Sequence, residues 1–114
     1  MRIVFLDESR ERLNQFTDLL KRSRNDIDYI RGSSEFIARI EKSSPDRALI
    51  DADAWKHGRA MYNYLGVGRK LENTPITVYN APDGFTGLTD RPKHNADVIL
   101  PKSASMESIV DSIG

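Results

Sequence analysis

The sequence predicts an alternating α/β fold on one parallel sheet, and three observations carry that expectation. Four short apolar runs, Ile3–Leu6, Ala48–Ile50, Ile76–Tyr79 and Val98–Leu100, are each followed by polar or turn residues. Continuous runs of this kind suit strands buried on both faces. Amphipathic helical stripes separate the runs, and strict strand–helix alternation implies parallel strands with right-handed crossovers. The chain of 114 residues is long enough for one such sheet with its covering helices and too short for two cores.

In order, Ile3–Leu6 is the first strand. Leu13, Phe16 and Leu20, with Leu19 beside them, define the first helix face. Ile27–Arg31 alternates rather than running apolar, which fits a strand at a sheet edge. Phe36, Ile37 and Ile40 form the second helical stripe, with Ser33 or Ser34 as its expected N-cap. Ala48–Ile50 is the central strand. Ala60, Tyr64, Val67 and Leu71 form a third stripe, weakened by Gly66 and Gly68. Ile76–Tyr79 is the fourth strand. The next stretch, from Ala81 to Asn95, holds Pro82, Gly84, Gly87 and Pro92 and has little helical periodicity, so a loop is expected there, or a turn or two of helix. Val98–Leu100 is the last strand. Met106, Ile109, Val110 and Ile113 form the final stripe, capped by Ser103 or Ser105.

Composition excludes several function classes. Lys plus Arg number 17 and Asp plus Glu number 17, without the basic excess of a nucleic-acid binder. No cysteine is present, which excludes disulfides and thiolate metal sites. The N-terminal apolar run is too short for a signal peptide or a membrane span. A cytoplasmic domain is expected, with no direct nucleic-acid contact. The sequence stops at Gly114, directly after the last stripe, and the expected organisation is one domain over residues 1–114, compatible with excision from a longer protein.

In a doubly wound sheet, ligands bind beyond the C-terminal strand ends. Asp7 and Glu8 follow the first strand, Asp51 and then Asp53 the third, Asn80 the fourth and Lys102 the fifth. Carboxylates crowded in this way repel one another, and Mg²⁺ relieves that repulsion. Lysine is a mobile point charge suited to a phosphate oxygen. A carboxylate beside both cations can attack phosphorus.

Along its whole length the chain resembles the receiver domains of two-component signalling. The resemblance rests on Phe5-Leu6-Asp7-Glu8, Ser44 to Asp51, Thr74-Pro75-Ile76-Thr77-Val78-Tyr79-Asn80-Ala81 and Ala96 to Lys102. It implies a flavodoxin-like sheet of five parallel strands in the order 2-1-3-4-5, with helices on both faces and a short or irregular fourth helix. It further implies Asp51 as phosphoacceptor and Mg²⁺ held by Asp7, Glu8, Asp51 and the backbone carbonyl of Asp53. Lys102 would pair with the phosphoryl group, and Asn80 would take the place of the residue that senses it.

Several positions depart from the family pattern. Asn80 stands where the family carries Thr or Ser, and Ile99 where it often carries an aromatic residue. Ser103 replaces the proline after the Lys, so a trans bond is expected there. Ala54 and Trp55 replace a Met-Pro pair. Pro82-Asp83-Gly84-Phe85 replaces the start of a regular helix, as in pseudo-receivers of the FrzS type. Trp55 is expected to pack on neighbouring loops or to meet a partner. Gly66-Val67-Gly68 falls too late in a helix to be a nucleotide loop. His57 and His94 are expected as lone surface residues. Lys21, Arg22 and Arg24 suit a solvated helix C-terminus.

Three functions follow as expectations. One is a phosphoacceptor receiver that takes its phosphoryl group from a histidine kinase or phosphotransfer protein and alters a downstream partner, with at most Mg²⁺-dependent self-phosphorylation and autodephosphorylation. The second is a pseudo-receiver that binds partners without phosphorylation. The third, an enzyme on the same frame, has no recognisable cofactor loop behind it.

Overall fold

The computed structural model describes residues 1–92 and 94–113. Strand β1 (Arg2–Leu6) leads to α1 (Arg10–Leu20), β2 (Asp26–Ile30), α2 (Ser33–Lys42) and β3 (Arg47–Asp51). Then come α3 (Ala52–Tyr64), the single turn α4 (Val67–Lys70), β4 (Ile76–Ala81), β5 (Val98–Pro101) and α5 (Met106–Asp111). All strand pairs are parallel, in the order β2-β1-β3-β4-β5. The alternating Ile27–Arg31 segment is indeed an edge strand, shifted by one residue.

Strand periodicity divides the core into two layers. Val4, Leu6, Ala48, Ile50, Ile76 and Val78 face α2 and α3, where Phe36, Ile37, Ile40, Trp55 and Tyr62 cover them. Ile3, Phe5, Leu49 and Tyr79 face α1 and α5, where Leu13, Phe16, Ile109 and Ile113 close the opposite side. Each face of the sheet therefore has its own apolar layer, which is why the central strands carry almost no exposed residue.

Some local expectations change. The third stripe does not form one helix. Tyr64 is 88% exposed, whereas Val67 and Leu71 are buried in and just after the separate turn α4. Gly66 breaks the run in a left-handed conformation (φ 65°), which a residue without Cβ adopts freely. The buried face of α3 is instead Ala52, Ala54, Trp55 and Tyr62. Trp55 is only 3% exposed and stacks on Tyr62 of its own helix with ring centroids 4.4 Å apart, rather than packing on neighbouring loops or standing out to meet a partner. The N-cap of α2 is Gly32, one residue before the expected serines. At α5 the cap is Ser105, whose hydroxyl accepts from the backbone N–H of Ser108.

Between β4 and β5 no helix forms among the described residues, as the Pro and Gly content predicts. Arg91 organises this stretch instead. Its guanidinium donates to both carboxylate oxygens of Asp97, each at 2.8 Å, and to the carbonyls of Leu71 and Thr74. Asp97 in turn accepts from the backbone N–H of Ile76 at 2.9 Å. The irregular crossover is thereby tied to the start of β4. Leu88 plugs into the core from the same segment. Gly68 is required nearby, because a Cβ there would lie 2.3 Å from the carbonyl oxygen of Thr89.

Candidate functional site

Asp7 and Asp51 lie side by side at the C-terminal edge of the sheet, because β1 and β3 are paired in register up to Leu6 and Ile50. Both are almost fully buried, at 0% and 1% exposure. Buried carboxylates need donors, and here the donors come from α1 with its N-cap, from α3 and from β4.

Asp7 accepts from the backbone N–H of Ser9 (2.8 Å) and from Nη2 of Arg12 (3.0 Å) on one oxygen. Its other oxygen accepts from Nε of Arg12 (2.8 Å) and from the hydroxyl of Tyr79 (2.7 Å). Tyr79 reaches it from β4, on the α1 face of the sheet, with its ring against Phe16. Burial and the charge on Asp7 push the Tyr79 phenol well above its ordinary pKa, so it remains a donor. The hydrogen bond to Asp7 pushes the Arg12 guanidinium up as well.

Asp51 caps α3. One of its oxygens accepts from the backbone N–H of Ala54 (3.2 Å) and lies 3.2 Å from Nη2 of Arg12. The other accepts from the side-chain amide of Asn80 at 2.9 Å. Burial raises the Asp51 pKa; the Asn80 amide, Arg12 and the Ala54 N–H oppose that rise, and Asp7 adds to it.

Asn80 sits where the β4–β5 register shifts, in a left-handed conformation (φ 57°). Its amide also reaches the Asp53 carboxylate at 3.1 Å. Asparagine tolerates this backbone region, whereas a β-branched Thr is strained there. Asn80 is therefore not a simple replacement for a hydroxyl residue on a regular strand.

Of the remaining expected site residues, Asp53 joins this network only through Asn80, and Glu8 and Lys102 lie outside it. Glu8 turns outward to His57, with Oε1 and Nδ1 2.5 Å apart. His57 is therefore not a lone residue, as expected from the sequence, but the partner of Glu8. Asp53 is exposed in the first turn of α3. Lys102 is exposed, makes no ion pair among the described residues, and lines a cleft of about 340 Å³ with Asp53, Lys56, Arg59 and Phe85. Ile99 is 42% exposed on the edge strand β5. No cis peptide bond occurs among the described residues, so the Lys102–Ser103 bond is trans.

This donor set does not fit Mg²⁺. A carboxylate offers about four lone-pair directions, and those of Asp7 are filled by Ser9, Tyr79 and two nitrogens of Arg12. Among the described residues, no three acidic or histidine side chains converge as a metal-holding group. The sequence reading missed Arg12 and Tyr79. Arg12 lies at the polar start of an amphipathic helix, and Tyr79 ends an apolar strand, so neither carries a local signal of a polar partner.

No protein-family model matches the chain, and no curated protein matches it. Solved structures do resemble it. A response-regulator-receiver-modulated diguanylate cyclase from Pelobacter carbinolicus aligns over 98% of this chain and 87% of its own, at 16% identity and TM-score 0.67. A CheY-like receiver domain protein from Methanospirillum hungatei JF-1 aligns over 96% and 88%, at 18% identity and TM-score 0.64. The receiver domain of the hybrid histidine kinase CckA aligns over 99% and 95%, at 14% identity and TM-score 0.61. The fold of this chain is that of a response-regulator receiver domain. No described helix is long and apolar enough to cross a membrane.

Proposed function

We propose that this chain is a signal-transduction receiver module that acts by binding a protein partner, and that it does so without phosphorylation of Asp51. One observation carries the second half of that statement. The amide of Asn80 already bridges Asp51 and Asp53, on a left-handed backbone, while Lys102 is paired with neither carboxylate. In a phosphorylation switch those two positions respond to the new phosphoryl group; here one is engaged beforehand, and the other lines the adjoining cleft with Asp53 without pairing to either carboxylate.

The alternative is a phosphoacceptor receiver. In that case Asp51 takes a phosphoryl group from a histidine kinase or phosphotransfer protein. Asp7, Glu8 and the Asp53 carbonyl would hold Mg²⁺ with it, Lys102 and Asn80 would contact the phosphoryl oxygens, and a downstream protein or output domain would read the change. The buried position of Asp51 at the centre of the strand ends supports it. It requires Arg12 to leave both carboxylates and Glu8 to leave His57.

Intact-mass measurement after incubation with Mg²⁺ and a small phosphodonor separates the two. The expected result is no phosphoryl adduct on wild type, under conditions that label an ordinary receiver. An adduct that disappears in Asp51→Asn establishes the alternative.

A further inference from the structure

The acidic pocket carries its own cation. We infer that Arg12 occupies the place of a divalent metal between Asp7 and Asp51, so that this pocket is neutralised from within and excludes Mg²⁺. The inference rests on local geometry and goes beyond the signalling function proposed above.

Three observations converge on it. First, one guanidinium spans both carboxylates: Nε and Nη2 bond Asp7 at 2.8 and 3.0 Å, and Nη2 lies 3.2 Å from Asp51. A planar fork of fixed charge matches two adjacent carboxylates in a way an ammonium cannot.

Second, the residue is positioned rather than merely close. The Asp7 carboxylate accepts from Ser9 N–H, and the Ser9 hydroxyl caps Arg12 N–H at 3.2 Å. Asp7, Ser9 and Arg12 thus form a closed local unit at the start of α1. A cation in the first turn of a helix works against the helix dipole, so helix electrostatics do not account for its placement; the two aspartates do.

Third, the ligands a metal would need are engaged elsewhere. Asp7 has no lone-pair direction left, and Glu8 is held outside by His57. The acidic pair that follows β1 is split, with one member buried under Arg12 and the other at the surface.

If Arg12 is what keeps a metal out, removing its charge should create a metal site. Binding of Mn²⁺, followed by paramagnetic resonance of the free ion, and thermal unfolding with and without Mg²⁺ test this on the chain as it is. Wild type is expected to show no saturable binding at millimolar metal and no metal-dependent change in Tm. Arg12→Met is expected to unfold at lower temperature, to regain stability with Mg²⁺, and to bind Mn²⁺ saturably, on the order of 100-fold below the metal concentration at which wild type still shows no binding. Adding Asp51→Asn to Arg12→Met should abolish that binding. Arg12→Lys, which keeps the charge, should remain metal-free, and it serves as the folding control.

Saturable binding to wild type that is lost in Asp7→Asn overturns the inference, and that measurement needs no Arg12 variant to fold. Failure of a folded Arg12→Met to bind any better than wild type overturns it equally, because something other than the guanidinium would then exclude the ion.

Discussion

Two arginines hold two ends of this molecule with the same chemistry and to different effect. Arg91, nearly buried, ties Asp97 and the Leu71 and Thr74 carbonyls together where β4 begins. Arg12, one-third exposed, ties Asp7 to Asp51 where β1 and β3 end. Arg91 replaces a missing helix: it satisfies carbonyls and fixes a crossover whose backbone has no regular ladder. The Arg12 side chain satisfies no backbone group among the described residues. Its partners are two carboxylates that the fold forces together at the strand ends. The difference separates a structural guanidinium from one placed where receiver-type folds do their chemistry.

The largest expected effect comes from Arg91→Ala. It leaves a half-buried carboxylate and two carbonyls without their donor and should cost about 3–5 kcal/mol, measured by urea unfolding. Added divalent metal should restore none of it, because Asp97 stands without a second acidic partner in that network.

Arg12→Met should cost less, about 2–3 kcal/mol, because solvent reaches the guanidinium and screens part of the pair. Here Mg²⁺ should recover most of the loss. Equal behaviour of the two variants toward Mg²⁺ would erase the distinction between the two ends.

Tyr79→Phe removes one of four donors from Asp7 and leaves the ring packing against Phe16 intact. A loss of about 1.5 kcal/mol is expected, as for one hydrogen bond to a charged group. An unchanged midpoint would mean that Arg12 and Ser9 alone satisfy Asp7.

The smallest effect concerns pH. The Asp51 pKa is raised in the folded state above the ordinary carboxylate value of 3.8, so the folded state holds that proton more tightly than the unfolded chain does. Its contribution to stability is full below the ordinary value and is lost as pH rises through the raised one. Asp51→Asn should therefore flatten the stability profile over that interval and gain on wild type toward neutral pH. The opposite trend, a variant losing ground as pH rises, would show that pairing with Arg12 outweighs burial.

Much of this was legible beforehand, and the misses share a cause. The apolar runs, the edge character of Ile27–Arg31 and the non-helical stretch after Ala81 are local signals, and the strands and that loop lie where those signals placed them. The stripe through Ala60, Tyr64, Val67 and Leu71 failed because periodicity alone continued a helix across Gly66, whose left-handed backbone ends it. Trp55 looked anomalous beside a candidate site, yet it has Tyr62 seven residues on in the same helix to stack against. Of the six candidate site residues, Asp7, Asp51, Asn80 and Asp53 share one connected network, while Glu8 and Lys102 lie outside it.

The sequence by itself determined the order of elements, the two-sided burial of the central strands, and the gathering of Asp7 and Asp51 at one edge, because these follow from periods of two and 3.6 residues and from chain reversal after each strand. Only the tertiary structure decided what those carboxylates are bonded to. Arg12 bridges Asp7 on the preceding loop and Asp51 at the end of another strand, and Tyr79 sends its hydroxyl to a residue 72 positions away. A hydropathy pattern tells which face of an element is buried. It does not tell which charged and polar groups from separate elements meet once that face is covered, and at this site that meeting is what chose an internal guanidinium over a metal ion.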